Sequence, residues 1–164
     1  MAEKIARMTD PMDGLRSLQT ALAYNDVELL DCEIHPEIRV ILDYPNKEPR
    51  ITYVKMRDRK ALAISIFVMA EPLEGLPCFN LGYAVAESER QQGLATEIVQ
   101  KGLDEMKSGM IRSGVPKFYV EAVVGVTNLP SHKLALRLIS EKPTPCTDCF
   151  SGEAALQYTK LITA

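Results

Sequence analysis

The residues best suited to chemistry sit in one stretch, Val85-Ala-Glu-Ser-Glu-Arg-Gln-Gln-Gly-Leu-Ala-Thr-Glu97. A strand end, a short loop with one glycine and a helix start follow one another there. That order makes an anion site. The first N–H groups of a helix have no acceptor within it, and the helix dipole concentrates partial positive charge where they point. Gly93 lets the backbone approach a phosphate, Ala95 keeps the approach uncrowded, and Arg90 and the Thr96 hydroxyl add donors. An ordinary strand-to-helix turn has the same look, so the glycine alone does not decide.

Two other groups of residues could react. Glu121 interrupts the apolar strand sequence Phe118-Tyr-Val-Glu-Ala-Val-Val124, a place where an interior strand seldom puts an unpaired charge. It is either a proton acceptor in a cleft or a glutamate with a salt-bridge partner or water. The cysteines are Cys32, Cys78, Cys146 and Cys149, and Cys146-x-x-Cys149 has metal-like or redox-like spacing. A structural zinc takes four ligands, yet the only histidines are His35 and His132 and there is no second such pair. Free thiols and no metal are therefore expected.

Composition bounds the partners. The chain has 164 residues, 46% of them apolar, which suits one globular domain spanning residues 1–164. Its 19 basic and 22 acidic side chains give a net charge of −3, against a main role in neutralising nucleic-acid phosphates. The dense basic run Arg50, Lys55, Arg57, Arg59 and Lys60 reads as a solvated strand edge. Ala61–Ala70 is apolar but too short to span a membrane, and the charged N-terminus does not resemble a signal peptide. A cytoplasmic location is expected.

Periodicity supplies the elements that must position the reactive residues. A short strand is predicted at Lys4–Met8. A helix then follows Asp10-Pro11 with Leu15, Leu18, Ala21 and Leu22 inward. Prolines 36, 45 and 49 leave Asp26–Arg50 irregular. Strands are predicted at Arg50–Met56, Ala61–Met69 and Phe79–Ala86, the last after a loop over Glu71–Pro77. A helix over Leu94–Lys107, a strand at Lys117–Val124, a helix over Asn128–Ser140 and a strand at Ala154–Ile162 complete the pattern. The fold class is α/β (α+β), a mixed sheet covered by helices.

Arg90-Gln91-Gln92-Gly93-Leu94-Ala95 resembles the pyrophosphate-binding motif of the GNAT N-acetyltransferases. Leu81-Gly-Tyr-Ala-Val85 resembles that family's strand that pairs with the pantetheine arm of acetyl-CoA, and Val124-x-x-x-Asn128-x-x-Ser131 its next strand-to-helix junction. Gly82-Tyr83, Gly93-Leu-Ala-Thr-Glu97 and Asn128-x-x-Ser131 most resemble the ribosomal-protein N-terminal acetyltransferase branch. The resemblance runs from about Arg50 to the C-terminus.

It implies a mostly antiparallel sheet with helices on both faces and two splayed strands that admit acetyl-CoA, the cosubstrate. It also implies cofactor contacts from Tyr83, Val85, Arg90, Gln91, Gln92, Gly93, Leu94, Ala95, Thr96 and Asn128. The implied reaction is direct transfer of acetyl to a primary amine on a small molecule or a peptide N-terminus. Glu121 would deprotonate the amine and Ser131 would steady the departing thiolate. The family's usual tyrosine falls at Ala135, and its downstream Gly-Phe at Ile139-Ser140. Those departures support an alternative, a non-catalytic acyl-CoA sensor. An acidic rim from Glu28, Asp31, Glu33 and Glu37 fits either a cationic acceptor or a solvated helix face, and an exposed last strand could pair two copies into a homodimer.

Overall fold

The computed structural model describes residues 10–148 and 152–164. The strand expected at Lys4–Met8 and Cys149 both lie outside them. Helix α1 (Pro11–Ala23) begins as expected: the Asp10 carboxylate accepts the Met12 N–H at 3.0 Å, and Pro11 fills the first helical position. Strands β1 (Leu30–Asp31), β2 (Ile38–Asp43), β3 (Arg50–Arg57), β4 (Lys60–Leu73) and β5 (Leu76–Val85) follow. Then come α2 (Leu94–Arg112), β6 (Lys117–Gly125), α3 (Leu129–Leu138), β7 (Thr144–Thr147) and β8 (Ala154–Thr163).

These strands form one sheet in the order β1-β2-β3-β4-β5-β6-β8-β7. Every neighbouring pair is antiparallel except β5 and β6, as the crossover through α2 requires. Apolar side chains alternate between two cores. Leu15 and Leu18 of α1 pack with Val54, Ile64 and Ala84 on one face, while α2 and α3 pack with Phe67, Phe79, Phe118 and Val120 on the other. The mixed, mostly antiparallel sheet with helices on both faces is the expected class.

The differences have local causes. Asp26–Arg50 is not irregular, because β1 and β2 extend the meander there. The β2 residues are mostly half-buried, so apolar alternation is weak, and the flanking prolines sit outside the strand. The Glu71–Pro77 loop is mostly strand: β4 and β5 run on to a two-residue turn, Glu74-Gly75, with φ of 50° and 78°. Positive φ at both positions is the hairpin geometry that matches strand twist. Pro72 fits because the pairing is irregular between Ala70 and Leu73. The basic run is not a solvated edge either, since β3 lies between β2 and β4. Arg50 pairs with Asp43, Lys55 with Glu97, and Arg57 with Glu89.

The acidic rim is no helix face, because residues 28–37 hold β1 and turns rather than a helix, and Asp31, Glu33 and Glu37 are paired with Arg39, Arg112 and Lys101. β8 is not an edge along its whole length. β6 pairs with all but its first residue, and β7 covers the other side over Ala154–Gln157.

Helix α2 lies close on the sheet at Gly102. A Cβ there would stand 2.6 Å from Ser65 Oγ and 3.2 Å from the Phe67 and Tyr53 rings. The Ser65 hydroxyl is committed, donating to the Ile98 carbonyl at 3.0 Å within a fully buried site. Gly102→Ala should therefore destabilise the protein by about 2 kcal/mol through overpacking, read as a lower denaturant midpoint. An unchanged midpoint would mean that α2 can lift off the sheet without loss.

Candidate active site

The loop between β5 and α2 is fixed from below. Ala86 N–H donates to the Leu62 carbonyl at 2.8 Å, and Glu89 N–H to Ala86 at 2.9 Å. Glu89 is not a solvated loop charge: it is 8% exposed and ion-paired with Arg57 of β3. Gln91 and Gly93 both take left-handed conformations, with φ of 63° and 76°. This reversal brings the chain into α2 with Gly93 as its N-cap and no capping side chain. The N–H groups of Leu94, Ala95 and Thr96 consequently open the helix without intrahelical acceptors. A Cβ on Gly93 would meet no atom within 4 Å, so the space in front of these donors is open. Gln91 and Gln92 are exposed around it, and the exposed Arg90 guanidinium lies 3.7 Å from Met12 Sδ of α1.

Behind the first turn, Glu97 accepts from Lys55 and Lys101 at 2.7 Å each, and Lys101 also pairs with Glu37 at 2.6 Å. Hydrogen bonds from Lys101 and then Lys55 hold the Glu97 pKa below its usual 4.5. A depressed folded-state pKa contributes stability that is present above the unfolded value and lost as pH falls through the folded one. Acidification below about pH 4.5 should thus weaken the clamp at the base of α2. Lys101→Met should flatten the acid limb of a plot of denaturant midpoint against pH, and an unaltered limb would contradict this.

β5 and β6 pair only through Cys78–Tyr119, Phe79–Val120 and Asn80–Glu121, and then part. Among the described residues, the splay leaves a strand edge without a neighbour. Ala86 bonds β4 through its N–H, and the antiparallel ladder alternates, so the N–H groups of Leu81, Tyr83 and Val85 point away from β4; that of Leu81 closes the last β5–β6 pair, and those of Tyr83 and Val85 point into the opening.

The start of α3 stands across this opening. The Asn128 side chain accepts the Ser131 N–H at 3.3 Å, so Asn128, not Ser131, caps the helix. Tyr83 Oη lies 2.5 Å from Ser131 Oγ and joins β5 to α3. Burial raises the Tyr83 pKa, while the bond to Ser131 opposes the rise. Ala135 is 1% exposed in the core and holds no polar group there.

Glu121 is on the other face of the sheet. Val120, Ala122 and Val124 enter the core under α2 and α3, and strand alternation turns Glu121 away from them. It is half-buried, and the Gln157 amide donates to it at 2.8 Å. The structure therefore brings Tyr83, Val85, Asn128 and Ser131 to one side of the opening and Glu121 to the other. Burial and then Glu121 push the Cys78 thiol up to about 11, and burial and then Glu105 do the same to Cys32, so both are inert free thiols. Among the described residues no cluster of His, Cys, Asp or Glu could hold a metal ion, and no helix is long and apolar enough to cross a membrane.

His132 escaped the sequence. Its Nε2–H donates to the Gly125 carbonyl at 2.8 Å, and its Nδ1 lies 2.7 Å from the Tyr158 hydroxyl. That ring bolts the start of α3 to β6 and β8. The signal was faint: a lone histidine beside Ser131, with no partner adjacent in sequence.

No family model matches the chain, and no curated protein matches it in sequence. Solved structures do match. An acetyltransferase of the GNAT family from Streptococcus pneumoniae superposes with a TM-score of 0.51 at 13% identity, over 69% of this chain and 66% of that one. A ribosomal-protein-alanine N-acetyltransferase from Brucella melitensis gives 0.52 at 16% identity, over 70% and 69%. The chain thus spans about two-thirds of the length of each. At such identities the likeness is one of architecture. With strands that part beside an uncapped helix start, the chain has the fold of the GNAT acetyltransferases.

Proposed function

We propose that the protein is an N-acetyltransferase that moves an acetyl group from acetyl-CoA to a primary amine by direct attack. The observation that carries this reading is the parting of β5 and β6 after Asn80 and Glu121, beside the uncapped N-terminus of α2. The residues present fit the cosubstrate. A pyrophosphate suits the open space in front of Gly93, where the N–H groups of Gly93, Leu94, Ala95 and Thr96 meet it without a competing side chain. Arg90, Gln91 and Gln92 rim that space. An arm bearing amide groups suits the outward N–H groups of β5, with Tyr83 and Asn128 alongside.

Acetyl-CoA, when bound, supplies the thioester whose acyl carbon takes the amine. The Tyr83 N–H, the outward donor nearer the last β5–β6 pair and Glu121, polarises the acyl oxygen, a donor fixed in place before reaction, while the Val85 N–H holds the arm nearer α2. Glu121 receives the proton the amine must lose, directly or through one water. Its position across the sheet from Ser131 lets amine and leaving sulfur occupy opposite sides of the opening. Ser131 holds the thiolate, which is a tolerable leaving group because a thiol ionises near ~8.5. The acceptor would lie on the Glu121 face, where the described part of α1 packs on β4 and β5 and leaves the β6 and β8 side chains Tyr119, Glu121, Gln157 and Thr159 half-exposed. The Brucella neighbour's name makes a peptide N-terminus the first acceptor class to try.

Ala135 favours a second reading, an acyl-CoA sensor, because no phenol occupies that buried place. Calorimetric titration with acetyl-CoA, followed by thiol release with peptides beginning in alanine, serine or threonine and with small primary amines, separates the two. Saturable binding with release is the expected result. Binding without release from any acceptor turns the reading to the sensor, and absence of binding overturns both.

A further inference from the structure

Ser131 stands in the splay with an unusual neighbour. Its backbone N–H is taken by Asn128, so only the hydroxyl is left to act on a ligand. A hydroxyl has one donor and two acceptor sites, and its rotor is free unless something fixes it. Left alone near a helix start, it turns onto a nearby backbone carbonyl. Here the Tyr83 phenol approaches to 2.5 Å, short for such a bond, from a ring packed against the main core and pinned by the β5 ladder.

We infer that Tyr83 is a positioning residue for the leaving sulfur: its O–H donates to Ser131 Oγ and leaves the Ser131 O–H to point into the opening. This inference rests on the acetyl-transfer reading and assigns Tyr83 a second task besides lining the cleft. The phenol transfers no proton. When the C–N bond forms and the C–S bond breaks, the electron pair stays on sulfur, and the amine's proton goes to Glu121 or water. The thiolate meets a hydroxyl hydrogen already aimed at it. A donor into Ser131 Oγ also polarises the Ser131 O–H, so the two bonds strengthen each other. Burial keeps Tyr83 protonated, and therefore a donor, across neutral pH. The site thereby places a phenol one hydroxyl away from the leaving group, although Ala135 supplies none.

The test reads the thiol itself and needs no acceptor. CoA carrying a labelled carbon next to sulfur is bound to the wild type, Tyr83→Phe, Ser131→Ala and the double variant, and its NMR shift is followed against pH. The bound thiol should ionise about one pH unit lower in the wild type than in Ser131→Ala, a tenfold preference for thiolate. With CoA at saturation, Tyr83→Phe should lose most of that shift, and the double variant should titrate like Ser131→Ala. Wild-type titration in Tyr83→Phe, or a further change when Tyr83→Phe is added to Ser131→Ala, overturns the inference. Ser131→Thr keeps the hydroxyl and should keep the shift. CoA that fails to bind the wild type removes the acetyl-transfer reading and this one with it, whereas tight binding with an unshifted thiol removes this one alone.

Discussion

Gly93→Ala should cut acetyl-CoA affinity roughly 100-fold while lowering stability by only about 1 kcal/mol. The small stability loss comes from the left-handed φ of 76°, because an added methyl meets nothing of the protein within 4 Å. The large affinity loss comes from the same methyl entering the space proposed for the pyrophosphate, where it would hold the phosphate off the N–H groups of α2. Gly75→Ala is the matched control. Gly75 has φ of 78° and equally open surroundings, but sits in the β4–β5 turn away from α2. It should lose the same stability and no affinity. Equal affinity losses in the two variants would mean that strain, not occupancy of the cradle, weakens binding.

Glu105→Ala should have the largest effect on stability, about 3 kcal/mol, seen in chemical denaturation. Glu105 is 5% exposed on the sheet side of α2 and accepts three successive backbone N–H groups, from Glu33 at 3.3 Å, Ile34 at 2.6 Å and His35 at 2.7 Å. Its removal leaves three part-buried donors without their acceptor. Glu105→Gln keeps an acceptor oxygen but loses the charge and should fall between alanine and wild type. The ordering separates a role in holding the β1–β2 loop onto α2 from a simple packing role, which would leave glutamine near wild type.

That glutamate also shows why parts of the fold were hidden in the sequence. A charge among the α2 residues Ile98, Gly102, Leu103 and Met106 looks like a surface position, because its three partners come from a loop about seventy residues away. The strands β3, β4 and β6 were legible because alternate positions face opposite cores and the apolar pattern records it. β7 was not, since its four residues, Thr144–Thr147, are mostly exposed and include a proline. The turn into α2 was legible because a glycine before a helix has a local geometric reason, and Gly93 takes a positive φ. The contact between Tyr83 and Ser131 was not, since it joins residues 48 apart. Each was noticed alone. Their meeting depends on where β5 and β6 part, which no local pattern encodes.

The central claim is that acetyl-CoA lies in the parted edge of β5 and β6 with its pyrophosphate on α2. Backbone amide NMR during an acetyl-CoA titration tests it most directly. Saturable shifts are expected at Tyr83 and Val85 and at Gly93 to Thr96, with the β1–β2 region unmoved. Saturable binding that leaves those amides in place would contradict it.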